Sequence, residues 1–260
     1  MGRRWLVLTL ALCCAWPAPV ATAADGRCPM RDVAADGAAL ATAPARWGEW
    51  QWLTLAGGLG AVGVAATLDD NLAGQWSHGD DGLAEVGNIY AFAAPTAALL
   101  YYGVRGGRGD GAAANTAWAV GEAALFTFVA TGVVKTVVGR ERPDRSGDND
   151  GSFHPFSLDD DNQSFPSFHA GLAFSTAAVL QDSDLPVVVK GAAYGLAGLT
   201  VWARLHDEDH WLSDTVAGGL LGYAIGRWTV HHRGLATVAQ GTLTPEIADS
   251  RVGLAWRRRF

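Results

Sequence analysis

Three short segments of this 260-residue chain carry the side chains best suited to chemistry. They are residues 135–143, 166–169 and 204–214, and each alone is a weak signal. Together they supply three fixed cations, a hydroxyl, two imidazoles and a carboxylate, from Lys135, Arg142, Arg204, Ser167, His169, His210 and Asp214. Such a set can hold a phosphate dianion, attack its phosphorus and protonate the group that leaves.

The cations of these segments are spaced to reach one anion. Lys135 and Arg142 are seven residues apart, about two turns of a helix that Pro143 would end. Arg204 adds a planar guanidinium that can bind two phosphate oxygens at once. Residues 166–169 open a predicted helix, whose free backbone N–H groups favour an anion. A lysine and an arginine at a helix end are otherwise typical of a solvated C-terminal cap, so the prediction depends on all three segments meeting.

His210 and Asp214 are spaced for nucleophilic catalysis. At i and i+4 on a predicted helix they share a face, so the carboxylate can accept from one ring nitrogen and leave the other free. An imidazole held in this way is a candidate nucleophile, and His169 is then the candidate proton donor to the leaving oxygen. An isolated pair of this kind is more often a surface feature. Here the same helix face continues with three glycines at i, i+4 spacing, Gly218, Gly222 and Gly226. Such a row favours close packing of a neighbouring helix, so the face is predicted to point inward.

Acidic residues near the motifs are expected to stay out of the pocket. The run at 207–209 directly precedes His210 and would repel a phosphate if it faced inward, so it is predicted to face water. The acidic loop at 144–165 lacks the glutamate that should close a calcium-binding loop starting at Asp148. We therefore predict a solvated lid and no metal site.

Six apolar stretches are predicted to be the helices that position these side chains. They lie near residues 47–68, 86–104, 113–139, 168–181, 186–205 and 211–230. In an antiparallel bundle the end of one helix and the start of the next lie on the same side, so the three segments converge. The sequence predicts an all-α fold, an antiparallel bundle of about six helices with the active site at one end.

The motifs Lys-x6-Arg-Pro, Pro-Ser-x-His and Arg-x5-His-x3-Asp resemble the three signatures of the type 2 phosphatidic acid phosphatase and vanadium haloperoxidase superfamily. The resemblance covers residues 85–230. It implies an all-helical fold, a phosphohistidine intermediate and, for the phosphatase members, no metal or other cofactor. It implies that His210 attacks, that Asp214 orients it and that His169 is the acid. The phosphate-binding set implied by the resemblance is Lys135, Arg142, Ser167, Phe168 through its backbone, and Arg204.

Two positions depart from the family's usual pattern. Phe168 stands where the family usually has glycine, and its ring either narrows the approach or contacts an apolar part of the substrate. Ala203 stands where a serine usually precedes the arginine, which removes one hydroxyl. Neither change touches the charged set, so both bear on rate and specificity more than on reaction type.

The two ends of the chain differ in character from its body. Residues 1–23 combine two arginines, an apolar run and a small-residue cleavage site, as in a secretory signal peptide. We predict a flexible leader at 24–46, a helical phosphatase domain at 47–232 and an irregular tail with a possible short strand at 233–260. Loss of the signal, which holds two arginines and no acids, would move the net charge from −7 to −9. That charge disfavours nucleic acid as a partner.

Membrane contact is also predicted. The predicted helices near 50–68 and 113–139 are apolar enough to cross a bilayer. Glu122 and Lys190 within helices, and the short fourth helix, favour incomplete spanning. With the signal peptide, these features predict a bacterial envelope protein that faces the periplasm and is either embedded in the membrane or associated with it.

These observations together predict a metal-independent phosphatase that removes phosphomonoester or diphosphate groups, with a phosphorylated lipid as substrate. Two alternatives stay open. A vanadate-dependent haloperoxidase would use the same cationic pocket, with His210 as a ligand of vanadate. A non-catalytic binder of phosphorylated lipid would have lost turnover through the changes at Phe168 and Ala203.

Overall fold

The computed structural model describes residues 29–76, 79–145, 152–235, 242–248 and 251–257. The α-helices of these residues are α1 (Pro29–Thr42), α2 (Glu49–Ala66), α3 (Asp69–Leu72), α4 (Asp81–Gly107), α5 (Gly111–Val138), α6 (Phe168–Leu180), α7 (Val187–His206) and α8 (Leu212–His232). Short 3₁₀ helices span Ala43–Arg46 and Asp160–Asn162. The predicted all-α fold is confirmed, and the six predicted helices correspond to α2 and α4 to α8.

Close packing of α6 against α8 forms the centre of the bundle. A Cβ on Gly218 would lie 2.1 Å from the carbonyl oxygen of Ser167, and one on Gly222 would lie 1.9 Å from that of Gly171. Gly226 continues the row against Ser175. Only hydrogen at these positions lets the two backbones touch. The face that carries Asp214 therefore points inward, as the glycine row predicts.

Polar caps set where the helices begin. Asp80 and Asp110 accept backbone N–H bonds at 2.9 and 3.0 Å in the first turns of α4 and α5. Both helices consequently start before the predicted positions, 86 and 113. Ser167 caps α6 in the same way, at 3.5 Å from the amide nitrogen of Ala170.

A crossing loop fixes the end of α5. Gly139 has a left-handed φ of 61°, and a Cβ there would lie 1.8 Å from the carbonyl oxygen of His154. The amide of His154 donates to the Gly139 carbonyl at 2.7 Å, and that of Phe156 donates to the Thr136 carbonyl at 2.7 Å. This part of the predicted lid is thus bonded to the helix that carries Lys135, while residues 146–151 lie outside the described residues.

The described parts of both ends of the chain form regular elements: a helix within the predicted leader, and strands within the tail, where a short strand is predicted. Residues 29–42 form α1 where a flexible leader is predicted, because an alanine-rich segment gains a partner at the far end of α8. Asp36 lies 3.1 Å from Nε2 of His232 and 3.6 Å from Nη2 of Arg233. In the tail, Thr242–Ala248 (β1) and Arg251–Arg257 (β2) pair as an antiparallel hairpin. The predicted signal peptide lies outside the described residues.

Two helices of the described residues, α4 and α5, are long and apolar enough to cross a membrane. The predicted span near 113–139 corresponds to α5. The predicted span near 50–68 corresponds to α2, which is not among the candidates, whereas α4 is. Glu49, Gln51 and two tryptophans make the first turn of α2 less apolar than the sequence analysis assumed.

Candidate active site

The three motif segments meet at one end of the bundle. Lys135 lies near the end of α5 and Arg142 just beyond it, Ser167 and His169 lie at the start of α6, and Arg204 lies near the end of α7. His210 lies two residues before α8, not on the helix as the predicted i, i+4 pair required, whereas Asp214 lies in the first turn of α8. Backbone contacts tie the segments together, since the amide of Ser167 donates to the Asp214 carbonyl at 2.9 Å. The predicted convergence of the segments is present in the structure.

A serine lies between His210 and Asp214. Nδ1 of His210 is 3.8 Å from Oδ2 of Asp214, which is too long for a hydrogen bond. Oγ of Ser164 donates a short hydrogen bond to that Oδ2 and lies 3.4 Å from Nδ1 of His210. The predicted direct contact is therefore wrong, and the carboxylate reaches the ring through a hydroxyl. With Nδ1 engaged in this way, Nε2 is the nitrogen left for attack.

The missing direct contact has a geometric cause. Asp214 is fully buried, and its Oδ2 also accepts from the amide of Trp211 at 2.9 Å, which caps α8. Its Oδ1 accepts from Nη1 of Arg140 at 2.9 Å. These bonds fix the orientation of the Asp214 carboxylate, so that it does not turn toward the imidazole of His210. Burial raises the pKa of Asp214, and the nearby Arg140 guanidinium opposes that rise.

Arg140 connects the site to a second buried carboxylate. Its Nη2 donates to Oδ2 of Asp69 at 2.9 Å. Ser213 joins both groups, donating from its amide to Oδ1 of Asp69 at 2.9 Å and accepting from Nη1 of Arg140 at 2.7 Å. Neither Arg140 nor Asp69 was predicted as a site residue, although Arg140 lies inside the first motif. No sequence pattern marks Asp69, because it belongs to a polar segment between two predicted helices.

The carboxylate of Asp209 contacts both arginines predicted to bind phosphate, Arg142 and Arg204. Oδ1 of Asp209 lies 3.1 Å from Nη1 of Arg142, and its Oδ2 contacts Nη2 of Arg204. The prediction that residues 207–209 face water is therefore wrong for Asp209. The reason is electrostatic, since two adjacent guanidinium groups attract a nearby carboxylate.

The other predicted phosphate ligands also have internal partners. Nζ of Lys135 donates to the main-chain carbonyls of Gln163 and Ser164, the latter at 3.3 Å. The hydroxyl of Ser167 is fully buried and caps α6. Arg204 donates to Oδ1 of Asn88 on α4, outside the motifs. Burial lowers the pKa of Arg204 to about 10, so its charge persists at neutral pH.

Phe168 and His169 belong to an aromatic cluster beside the cations. The His169 ring meets Phe92 edge to face, with centroids 5.0 Å apart. Phe168 packs against Phe128 and Phe92, at centroid distances of 5.6 and 6.1 Å. The phenyl ring at the family's usual glycine position thus lines an apolar wall instead of approaching the guanidinium groups.

The surroundings of the two histidines keep both rings neutral. Burial lowers the pKa of His210 well below its usual value, and the cations of Lys135, Arg204 and Arg142 lower it further. Burial likewise lowers the pKa of His169, followed by the effect of Arg204. A neutral His210 has a lone pair for attack, whereas His169 needs a bound anion before it holds a proton well.

No group of three or more histidine, cysteine or acidic side chains in the described residues could hold a metal ion. The side chains that converge on the candidate site are mainly cationic, which suits an anionic ligand.

Comparison with known proteins identifies the family. The family model described as the PAP2 superfamily matches residues 116–236. This segment contains all eight predicted site residues and excludes Asp69 and Asn88. Neither the curated proteins nor the solved structures contain a match to the chain. The resemblance seen in the sequence is confirmed over residues 116–236, the segment that matches the family model of the PAP2 superfamily.

Proposed function

We propose that this protein is a metal-independent phosphatase that hydrolyses phosphomonoester or diphosphate groups through a phosphohistidine. Membership of the superfamily supports phosphatase-type activity. The observation that carries the proposal is a buried His210 whose Nδ1 faces Ser164 and whose surroundings include three basic side chains, Lys135, Arg142 and Arg204. Burial lowers the pKa of Lys135 to about 7, and a bound phosphate would favour its charged form. A nucleophile with one free nitrogen beside such a pocket suits attack on phosphorus.

The proposed reaction has two displacements. In the first, Nε2 of His210 forms a bond to phosphorus while the bond from phosphorus to the leaving oxygen breaks, and His169 gives that oxygen a proton. In the second, His169 takes a proton from water, the water oxygen bonds to phosphorus and the P–N bond breaks. Lys135, Arg142 and Arg204 stabilise the negative charge on the phosphoryl oxygens throughout.

Substrate phosphate must displace Asp209 in this scheme. The carboxylate bridges Arg142 and Arg204 where a phosphate would gain its bidentate contacts. A dianion carries more charge than a carboxylate, so it can compete for the two guanidinium groups. Its arrival also favours a protonated His169, since the added negative charge offsets the neighbouring cations.

Phosphorylated lipids at the periplasmic side of a bacterial membrane are the proposed substrates. Two apolar helices, α4 and α5, support membrane contact. Large apolar side chains are exposed along the bundle, among them Trp50, Leu59, Val86, Ile89, Val129, Val133 and Leu220. Basic residues lie at the end opposite the site, near the ends of α4 and α8, which is typical of the side that faces the cytoplasm.

Phosphate release from a panel of substrates tests the proposed function. The full chain, purified in detergent, is assayed with polyprenyl diphosphate, phosphatidic acid, phosphatidylglycerol phosphate, lipid A and soluble esters, with and without EDTA. We expect release from lipid phosphates that EDTA leaves unchanged, and none from His210→Ala. His154→Ala is the matched control, because His154 is an exposed histidine of the crossing loop.

Three outcomes would contradict the proposal. Activity abolished by EDTA would exclude the metal-independent mechanism. Oxidation of bromide with vanadate and peroxide, without phosphate release, would favour a haloperoxidase. Tight lipid binding that His210→Ala leaves intact, with no turnover by the wild type, would favour a non-catalytic binder.

A further inference from the structure

We propose that Asp69 is a positioning residue for His210, acting through Arg140, Asp214 and Ser164. This inference rests on the proposed function, in which His210 is the nucleophile. Asp69 lies on α3, before the segment that matches the superfamily. A residue from outside that segment would thus help to build the catalytic end of the bundle.

Asp69 is bonded like a component of the site and not like a surface acid. The residue is 2% exposed, and its Oδ2 accepts from Nη2 of Arg140 at 2.9 Å and from Oγ of Ser213 at 2.6 Å. Arg140, itself 6% exposed, uses Nη1 to hold Oδ1 of Asp214 at 2.9 Å. The chain of contacts then passes from Asp214 to Ser164 and from Ser164 to His210.

The charges along this chain explain what Asp69 contributes. Arg140 lies between two buried carboxylates, so Asp69, Arg140 and Asp214 together carry one net negative charge. Without the charge of Asp69, Arg140 and Asp214 would form a neutral pair. The imidazole of His210 gains positive charge as it bonds to phosphorus, and a buried negative group behind the ring stabilises that charge.

Other charged groups face His210 from the elements around it, and a change at Asp69 leaves them in place. The groups near the ring are Lys135 of α5, Arg142 and Asp209 of the adjoining loops, His169 of α6 and Arg204 of α7. Most are cations that disfavour positive charge on the ring. The carboxylates of Asp214 and Asp69 counter them from the other side.

The test compares Asp69→Asn with Asp70→Asn. Asparagine keeps the volume of Asp69 and removes its charge, whereas Asp70 is the exposed neighbour on the same helix. We expect Asp69→Asn to lower kcat by about tenfold to a hundredfold with KM within about twofold, and Asp70→Asn to change neither. The acidic limb of kcat/KM should move to lower pH in Asp69→Asn, because His210 loses a negative group that favours its protonation.

Anion binding without turnover gives a second readout. Vanadate can take an imidazole nitrogen as a ligand, whereas inorganic phosphate binds through the cations alone. Isothermal titration calorimetry of the purified full chain measures the affinity for each anion. We expect Asp69→Asn to weaken vanadate binding by about tenfold and to leave phosphate binding within about twofold. A merely structural role would weaken both anions together.

A double mutant shows whether Asp69 acts through Asp214. We expect Asp69→Asn to cause no further loss of vanadate binding in an Asp214→Asn background. Equal losses in both backgrounds, or an unchanged vanadate affinity in Asp69→Asn, would overturn the inference. If the wild type releases no phosphate but the vanadate difference remains, the proposed function fails and the positioning role stands. A wild type that binds neither anion overturns both.

Discussion

At the scale of single residues, we expect the carboxylate of Asp209 to compete with substrate for Arg142 and Arg204. It contacts both guanidinium groups and lies 3.1 Å from Nη1 of Arg142. Arg204 is buried and Arg142 partly buried, and each also has a second acidic partner, Asp207 and Asp160 respectively. In the proposed mechanism, release of Asp209 would be part of substrate binding and would lower the affinity for phosphate.

Asp209→Asn tests this competition. Removal of the charge should lower KM for a phosphomonoester by about tenfold, the scale of one charge-assisted hydrogen bond, with kcat within a few-fold. Steady-state kinetics measure the change. Asp161→Asn is the control, since its side chain contacts Arg145 and not the two site arginines. A higher KM in Asp209→Asn would mean that the carboxylate positions the arginines and does not compete.

His169 has a role that depends on the leaving group. A poor leaving group such as an alkoxide needs a proton, whereas a nitrophenolate does not. His169→Ala should slow hydrolysis of an alkyl phosphate by about 10²–10⁴-fold and that of p-nitrophenyl phosphate by far less. The test compares the rates of wild type and His169→Ala on the two esters. Equal losses would assign His169 to binding.

The pKa directions of the two histidines predict an acidic pH optimum. Burial and nearby cations lower the pKa of His210, so it stays neutral and reactive well below pH 7. The same causes lower the pKa of His169, so the free protein loses the proton needed for the leaving group as pH rises. We expect kcat/KM to peak below about pH 6.5, the ordinary value for histidine. A flat profile through neutral pH would contradict this assignment.

At the scale of elements, the backbone contact between α6 and α8 holds the proposed acid, His169, and the proposed nucleophile, His210, in register. Ser167 and His169 open α6, Asp214 opens α8, and the glycine row joins the two helices below them. A displacement of either helix would separate His169 from His210. Errors of about 1 Å in such arrangements are costly to rate.

Gly222→Ala tests the contact between these helices. The new Cβ would lie 1.9 Å from the carbonyl oxygen of Gly171, so the helices must separate. We expect a loss of about 1–3 kcal/mol or more in the free energy of unfolding, with a loss of activity. Thermal unfolding followed by circular dichroism measures the first effect. Gly195→Ala is the control, because nothing lies within 4 Å of its added Cβ. Equal stability of the two variants would contradict the packing role.

At the scale of the whole molecule, the exposed apolar surface and the polar site lie on different parts of the bundle. Large apolar side chains lie along the helices, whereas the cations and carboxylates of the site converge at one end. Water disfavours so much exposed apolar area, and a bilayer does not. The proposed lipid substrate would then reach the site from the surface that the protein contacts.

Binding to vesicles tests this arrangement. The full chain should float with phosphatidylglycerol vesicles in a density gradient. Replacement of Val129, Val133 and Val137, three exposed residues of α5, by serine should reduce the bound fraction. Replacement of three exposed alanines by serine is the matched control. A chain that stays soluble without detergent or vesicles would contradict membrane contact.

Local patterns in the sequence determined the fold class, six of the eight described α-helices and the eight residues that carry the proposed chemistry. Helical periodicity and motif spacing depend on near neighbours, so they can be read along the chain. The tertiary structure alone decided which groups support those residues. Asp69 and Ser213 are 144 positions apart, Asp69 and Arg140 are 71 apart, and Ser164 and Asp214 are 50 apart. No local propensity encodes such pairings, because they arise only when the glycine row of α8 lets the helices close and buries opposite charges together.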